Sequence, residues 1–339
     1  MFESKQIQEI EKWLANKPNI VITAHKSADG DSIGSSLSLY QFLKKQGHTV
    51  SICHPDKMPN FFTWLTDADQ ILTFDEDRAN VEKLLADADI IFCLDYNHPS
   101  RVGDMQAALE NTKAKKIMID HHQKPCEEAF DILFSFPKIS STSELIYEFI
   151  AALNQESKID ETIGTPIYCG IMTDTGSFRF PSTTARTHQI IANLITKGVK
   201  NHTIHENVYD VNTISRIKLN GFAMSEKLTV LQNLPVAYIA LSADELREFN
   251  ATKGDTEGLV NKALSIKGIK MAIFLKEDSG YIKMSFRSKG QTYVNEMARM
   301  HFEGGGHIYA AGGKFEGTIE AAIQKLVTLL PDYVTNSNE

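Results

Sequence analysis

Apolar positions in the first two hundred residues switch repeatedly between two spacings. Ile7, Ile10, Trp13 and Leu14 fall on one side of a helix predicted over 2–16. Residues 19–24 (NIVITA) form a short β-rich run that stops at His25. Ile33, Leu37, Tyr40 and Leu43 then recur at helical spacing across 32–46, and Gly47 suits the end of that helix. Strands are predicted over 48–53, over 89–94 (DIIFCL), and over the run Lys116-Ile117-Met118-Ile119 that meets Asp120. Helical patterns at about 78–86 and 104–111 separate them. Ser141-x-x-Glu144 has capping-box spacing and opens a helix reaching 153. Further helices follow over 160–173 and 183–197. Alternation of this kind predicts a doubly wound, mainly parallel sheet.

From 201 to 227 the pattern is helical and rather polar, with Ile204, Val208, Ile214, Ile217 and Leu219. It reads as a helical linker. A smaller α/β unit follows: strand 236–241, helix 255–266, strands 269–275 and 281–287, helix 295–301, a loop at Glu303-Gly304-Gly305-Gly306-His307, and a helix over 318–329. The expected organisation is a metal-binding domain over 1–200, the linker over 201–227, and a substrate domain over 228–339. A chain of 339 residues has room for two domains, or three.

Composition narrows the class only a little. The chain is 42% hydrophobic and 23% charged, with a formal net charge of −8. An acidic balance argues against long duplex DNA, whose binding draws its affinity from a basic face. It leaves room for a small anion held by metal and a few local cations. Cys53, Cys93, Cys126 and Cys169 form no Cys-x-x-Cys pair, so neither a zinc ribbon nor a redox motif is indicated. No apolar run approaches the roughly 18 residues of a membrane span, and the N-terminus lacks an apolar signal core. The expectation is a cytoplasmic protein with no membrane partner.

Polar groups gather where the apolar runs stop. His25 with Asp29 and Asp31, Asp95, Asp120-His121-His122, and Asp174 in Thr173-Asp174-Thr175-Gly176 lie at three strand ends and one helix end. In open α/β sheets, sites form at the carboxyl ends of strands. Each group has a bland structural alternative. His25 would be a loop histidine, Asp29 and Asp31 turn and N-cap residues, Asp95 a turn residue, Asp174 a cap. A buried strand ending in an acid and two histidines is harder to dismiss, because such groups cost several kcal/mol to bury unpaired. Together, four aspartates and two histidines in one site exceed what one open metal needs. Two divalent ions are therefore expected, with Asp95 placed to bridge them. The oxygen-rich set favours Mn²⁺ or Mg²⁺ over zinc, and the histidines favour Mn²⁺.

These residues resemble the motifs of the DHH phosphoesterase superfamily. His25-x-x-x-Asp29-Gly30-Asp31-x-x-Gly34-Ser35 is similar to the first motif, with Ala28 where proline is common. Asp95 with Pro99-Ser100-Arg101-Val102-Gly103 is similar to the second, Asp120-His121-His122 to the third, and Thr173-Asp174-Thr175-Gly176 to the fourth. Ser285-Phe286-Arg287-Ser288 and Gly304-Gly305-Gly306-His307 resemble the DHHA1 domain. The resemblance implies that His25 and Asp29 hold one ion, that Asp31, His121 and Asp174 hold the other, and that Asp95 bridges. It implies Asp120 as a support and His122 as the group facing the scissile phosphate. Arg287, Ser288, Gly304, Gly305, Gly306 and His307 would bind the substrate's phosphate. Without that context, Gly304–Gly306 would read as a flexible turn.

The length and domain pair most resemble the stand-alone bacterial nanoRNase/pAp-phosphatase group. The implied substrates are short single-stranded RNA and 3′-phosphoadenosine 5′-phosphate (pAp). A soluble phosphodiesterase for cyclic di-AMP or pApA is the near rival. A nucleotide-binding module without turnover and a structural metal protein are rivals of other classes. A homodimer stays open.

Overall fold

A computed structural model describes residues 1–252 and 254–334. Positions 335–339 of the expected second domain lie outside the described residues. The chain divides into two compact units, Met1–Val211 and Asn212 onward. The first of the helices expected as a linker falls in unit 1 and the second in unit 2.

Unit 1 holds a six-stranded sheet: β1 (Asn19–Thr23), β2 (Thr49–His54), β3 (Ile71–Thr73), β4 (Ile90–Leu94), β5 (Lys115–Asp120) and β6 (Ile132–Ser135). Their order is β3-β2-β1-β4-β5-β6, and every neighbouring pair is parallel. Its helices are α1 (Ser4–Ala15), α2 (Gly30–Lys45), α3 (Arg78–Ala86), α4 (Gln106–Glu110), α5 (Thr142–Ala152), α6 (Glu161–Asp174), α7 (Ala185–Thr196) and α8 (Asn201–Tyr209). Both faces of the sheet are covered, so the central strands are apolar throughout. Ile20, Ile22, Phe92, Ile117 and Ile119 face a core shared with α1, α2 and α5. Val21, Ile91, Cys93 and Met118 face a smaller core with α3 and α4. Strand order reverses between β1 and β4, and a ligand crevice opens at such a point, beyond the carboxyl ends. His25 follows β1 and Asp95 follows β4, one on each side of that reversal.

Two short strands, β3 and β6, were not predicted. Each is only three or four residues long and lies at an edge, too brief to carry a periodic signal.

Unit 2 comprises α9 (Ile214–Ser225), β7 (Leu228–Val230), β8 (Val236–Leu241), α10 (Ala243–Glu248), α11 (Leu259–Leu264), β9 (Met271–Asp278), β10 (Tyr281–Ser288), α12 (Asn295–His301), β11 (Gly305–His307), β12 (Ala310–Phe315) and α13 (Ile319–Tyr333). Its sheet runs β11-β12-β10-β9-β8-β7, with β8 and β9 parallel and the other pairs antiparallel. One face packs on α12 and α13 through Met284, Phe286, Phe302 and Leu326. The other packs on α9 and α11 through Ile239, Phe274, Leu219 and Leu259.

The expected loop at 303–307 is in part a strand. Gly305–His307 pairs antiparallel with β12, whose own sequence, AAGGKF, carries little β preference. A Cβ on Gly304 would lie 2.0 Å from the Gly312 carbonyl oxygen, and one on Gly306 would lie 2.5 Å from that of Ala310. Strand pairing, with no room for side chains, accounts for those two glycines.

Candidate metal centre

Asp95 is the hub of unit 1. It is buried and takes a left-handed backbone conformation, φ 62°, which is uncommon outside glycine and most tolerated by Asn and Asp. Its amide donates to the Ile119 carbonyl at 3.1 Å, fixing the tip of β4 against β5. Its two carboxylate oxygens look in different directions. Oδ2 lies 3.4 Å from His25 Nε2, and Oδ1 lies 3.5 Å from His121 Nε2. Thr142 Oγ1 donates to Oδ1 at 3.0 Å.

His25 Nε2 also lies 3.7 Å from Asp29 Oδ1. Asp29, not Asp31, is the N-cap of α2. Its Oδ1 accepts from the amides of Asp31 and Ser32, while Ser32 Oγ accepts from the Asp29 amide. Asp31 is one position inside the helix and points elsewhere. Its Oδ2 and Oδ1 accept from the amides of Thr142 and Ser143 at 2.6 and 2.8 Å. A carboxylate at the N-terminus of α5 gains from the exposed amides and the helix dipole. His121 Nε2 lies 3.7 Å from Asp31 Oδ2 and 3.5 Å from Asp174 Oδ2, the latter at the end of α6.

Two groups of candidate ligands result, and they share a member. Ligand atoms of His25, Asp29 and Asp95 lie within 4.8 Å of one another, as do those of Asp31, Asp95 and His121. Asp174 adjoins the second group through His121.

The donor chemistry fits divalent ions. Nδ1 of His25 faces the Lys26 carbonyl at 2.9 Å and Nδ1 of His121 faces that of Ile139 at 3.2 Å. A carbonyl only accepts, so each Nδ1 carries a proton, and each Nε2 is turned toward carboxylates. A neutral ring would set an Nε2 lone pair against carboxylate oxygens, a conflict that a proton on Nε2 or a metal ion relieves. A carbonyl at the other ring nitrogen is the usual support of a ligating histidine. The electrostatics express the same conflict. Burial works to lower His25, but Asp29 and Asp95 outweigh it and hold the imidazole well above its ordinary value. Burial likewise opposes a charged His121, while Asp95 and Asp174 raise it well above the ordinary value. Burial, with Asp95 and Asp174, pushes Asp31 well up, and burial above all raises Asp174 to about 6. For Asp95, burial is outweighed by His121 and His25, which hold it well below the usual carboxylate range.

Asp120 and His122 adjoin Asp95, with His122 Nδ1 3.8 Å from Asp95 Oδ1 and ligand atoms of the three within 4.8 Å of one another. His122 Nδ1 lies 2.6 Å from Asp120 Oδ1, and the His122 amide donates to Oδ2 at 3.0 Å. Asp120 is fully buried, whereas the His122 side chain keeps 15% exposure. Asp120 thus orients a ring whose other nitrogen points away from it.

Helix packing brings Asp31 and Asp174 together. A Cβ on Gly34 of α2 would meet the Pro166 carbonyl oxygen of α6 at 2.4 Å, and one on Gly170 would meet Ser143 Oγ at 1.9 Å. Gly34 thus lets the backbones of α2 and α6 approach, and Gly170 lets α6 approach α5.

Thr142 and Ser143 were missed in the sequence. The Ser141-x-x-Glu144 signal marked the start of α5 correctly, and Ser141 Oγ accepts from the Glu144 amide at 3.0 Å. That signal did not reveal that the helix start serves Asp31. The Glu144 carboxylate does not close the box; it turns to Ser140 and to Thr187 Oγ1.

In unit 2, Arg287 and Ser288 are adjacent on β10 and project to opposite faces. Arg287 is half-buried on the α11 side, and its Nη1 donates to the Phe286 carbonyl at 2.9 Å. Ser288 is buried and its hydroxyl has no hydrogen-bond partner among the described residues, so the two do not share a surface. His307 ends β11, opposite Ala310.

Residues 19–171 match the family described as "DHH family, N-terminal domain", and residues 233–336 match the "DHHA1 domain". A solved structure of an exopolyphosphatase-related protein from Bacteroides fragilis is 39% identical, covers 98% of this chain and 97% of its own, and superimposes with a TM-score of 0.93. The chain belongs to the DHH family. The DHH match includes every expected ligand but Asp174, which falls just beyond it, and the DHHA1 match includes Arg287 and His307. A Bacillus subtilis relative, named bifunctional oligoribonuclease and PAP phosphatase NrnA, is 28% identical over 92% of this chain and 94% of its own length. A more distant DHH-like fold is that of RecJ from Thermus thermophilus, solved in complex with Mn²⁺. It is 12% identical, with a TM-score of 0.56 over 97% of this chain and 54% of that one.

Proposed function

We propose that the protein is a metal-dependent phosphoesterase that hydrolyses short oligoribonucleotides and pAp. The observation that carries this reading is the pair of His/Asp groups joined at Asp95. One carboxylate with an oxygen toward each group is what a pair of ions sharing a ligand requires. On this reading His25 and Asp29 hold one ion, Asp31, His121 and Asp174 the other, and Asp95 both. Mn²⁺ suits the mixed nitrogen and oxygen set, with Mg²⁺ as the alternative. When bound, such ions make water a nucleophile near neutral pH and offset charge on a reacting phosphate.

The protein's own groups do the rest. The α5 amides and Thr142 keep Asp31 and Asp95 aimed. The Lys26 and Ile139 carbonyls keep the histidine lone pairs turned inward. His122, held by Asp120, offers its second ring nitrogen to the leaving oxygen and supplies a proton to it. In unit 2, Arg287 and His307 bind a phosphate of the substrate, with the backbone of Gly304–Gly306. The NrnA name of the Bacillus subtilis relative supports the choice of substrates. Among the described residues, no helix is long and apolar enough to cross a membrane.

The test is Asp95→Ala, assayed with Mn²⁺ on pAp, a short oligoribonucleotide, pApA and cyclic di-AMP. The wild type should favour the first two in kcat/KM, and the variant should lose activity on all four by a factor on the order of 10³ or more, as loss of a central electrostatic group does. Undiminished turnover by the variant overturns the mechanism. Preference for cyclic di-AMP overturns the substrate assignment.

A further inference from the structure

One cavity in unit 2 joins Arg287 to residues that have no role in the account above. It lies on the sheet face that packs against α11, where β9 and β10 pass the residues leading into that helix. Its walls include Lys276 of β9, Lys283, Ser285 and Arg287 of β10, and Asn261 of α11. The antiparallel register sets Lys283 directly opposite Lys276, Ser285 opposite Phe274, and Arg287 opposite Ala272. Side chains opposed in this way share a face, and this is the face on which Phe274 and Ala272 meet α11.

Like charges directly opposed across a ladder destabilise it. Here one of the pair is also largely withdrawn from water: the Lys276 side chain keeps 24% exposure. Burial first, and Lys283 second, depress the Lys276 ammonium below its ordinary range. Compensation is thin. Asp278 Oδ2 is 3.9 Å from Lys276 Nζ, and among the described residues of the cavity wall Glu257 is the one carboxylate beside Lys276 and Lys283. An anion in the cavity would offset the repulsion between the opposed lysines.

We propose that this cavity is a phosphate-binding subsite, in which Lys276, Lys283 and Arg287 take a phosphate group and Ser285 and Asn261 supply hydrogen bonds. It rests on the nucleotide reading above, and deepens it. The phosphate is one that the substrate carries in addition to the one hydrolysed, as every oligonucleotide and every 3′,5′-bisphosphate does. A nucleoside with no phosphate gains nothing from it.

The test uses the full chain with metal removed by chelator, so that binding is read without turnover. Binding of pAp and of adenosine is measured by calorimetry for the wild type, Lys276→Gln, Lys283→Gln, the double variant and Lys283→Arg. The double variant should lose at least tenfold in pAp affinity, with adenosine unaffected and Lys283→Arg close to wild type. The dependence of log Kd on log salt should become shallower by about 0.7 for each phosphate contact removed. Thermal melts give a second reading. Either glutamine variant should melt higher than the wild type without ligand, because the opposed pair is gone, and should lose the rise in Tm that pAp produces. Wild-type pAp affinity in the double variant overturns the proposal. So do lower ligand-free melting points with unchanged affinity, which make the lysines structural. A wild type that binds pAp through these lysines but hydrolyses no nucleotide with Mn²⁺ overturns the enzymatic reading and leaves the subsite. An active wild type whose variants are indifferent does the reverse.

Discussion

His121 and His122 are chain neighbours with different surroundings. His121 is buried, braced by the Ile139 carbonyl, and turned toward Asp31, Asp95 and Asp174. His122 is braced by Asp120 and partly exposed. His121→Ala should weaken Mn²⁺ binding, measured by calorimetry on stripped protein. His122→Ala should leave Mn²⁺ affinity within a few-fold and lower kcat by roughly 10²–10⁴, the usual contribution of a positioned acid. Equal loss of metal from both variants would count against the division. Asp120→Asn keeps the shape but not the charge behind His122, and should lower kcat by about 10–100-fold, in line with other supporting carboxylates. At this scale the sequence marked out the candidate ligands, because most of them sit where an apolar run ends. It was silent about their supports. Thr142, Ser143 and Ile139 carry no unusual chemistry; only the fold sets their amides and carbonyl beside Asp31 and His121.

Elements with a strong period were legible. Strands β1, β4 and β8 and helices α2, α3 and α5 fall within a residue or two of their expected limits, because each buries a continuous apolar run or stripe. Strands β3, β6, β11 and β12 were not, being short edge strands or glycine-rich, held by neighbours and not by local preference. The contact between α2 and α6 is likewise invisible in a one-dimensional pattern, yet it sets the distance between Asp31 and Asp174. Gly170→Ala tests the neighbouring contact of α6 with α5 and with the Asp31 carboxylate. The new methyl would collide with Ser143 and lie 3.0 Å from Asp31 Oδ1. Overpacking of this kind costs about 1–3 kcal/mol, readable as a lower urea midpoint. Mn²⁺ affinity should fall too, since Asp31 must shift. Gly170→Ala with Ser143→Gly should recover part of the stability.

For the molecule as a whole, the buried charges of the candidate centre make stability depend on pH. His25 and His121 titrate above their unfolded values, so their stabilising effect is full below about pH 6.5 and is lost as pH rises through their folded values. Asp174, raised to about 6, acts in the same sense: the folded state holds its proton where the unfolded state has released it, so stability falls as pH climbs from about 4 to about 6. Asp95, held low, opposes this only at acid pH, where its contribution is lost as pH falls. Chelated protein should therefore lose stability steadily from pH 6 to 8 in urea titrations. With saturating Mn²⁺ the curve should flatten and Tm should rise, as binding to the native state alone requires. A chelated protein whose stability climbs over that range would remove the basis of this account.

The position of the unit boundary has its own consequence. Every residue assigned to the ions, together with its braces, lies before residue 175, and the chain passes into unit 2 only after Val211. The cationic residues assigned to phosphate lie after residue 275. On the proposed function, reactivity and selectivity are written in separate stretches of the gene. Substitutions that reshape the preferred nucleotide can accumulate in the second stretch without disturbing the hydrolytic chemistry, so new specificities should arise there first, whether by drift or in a mutant library.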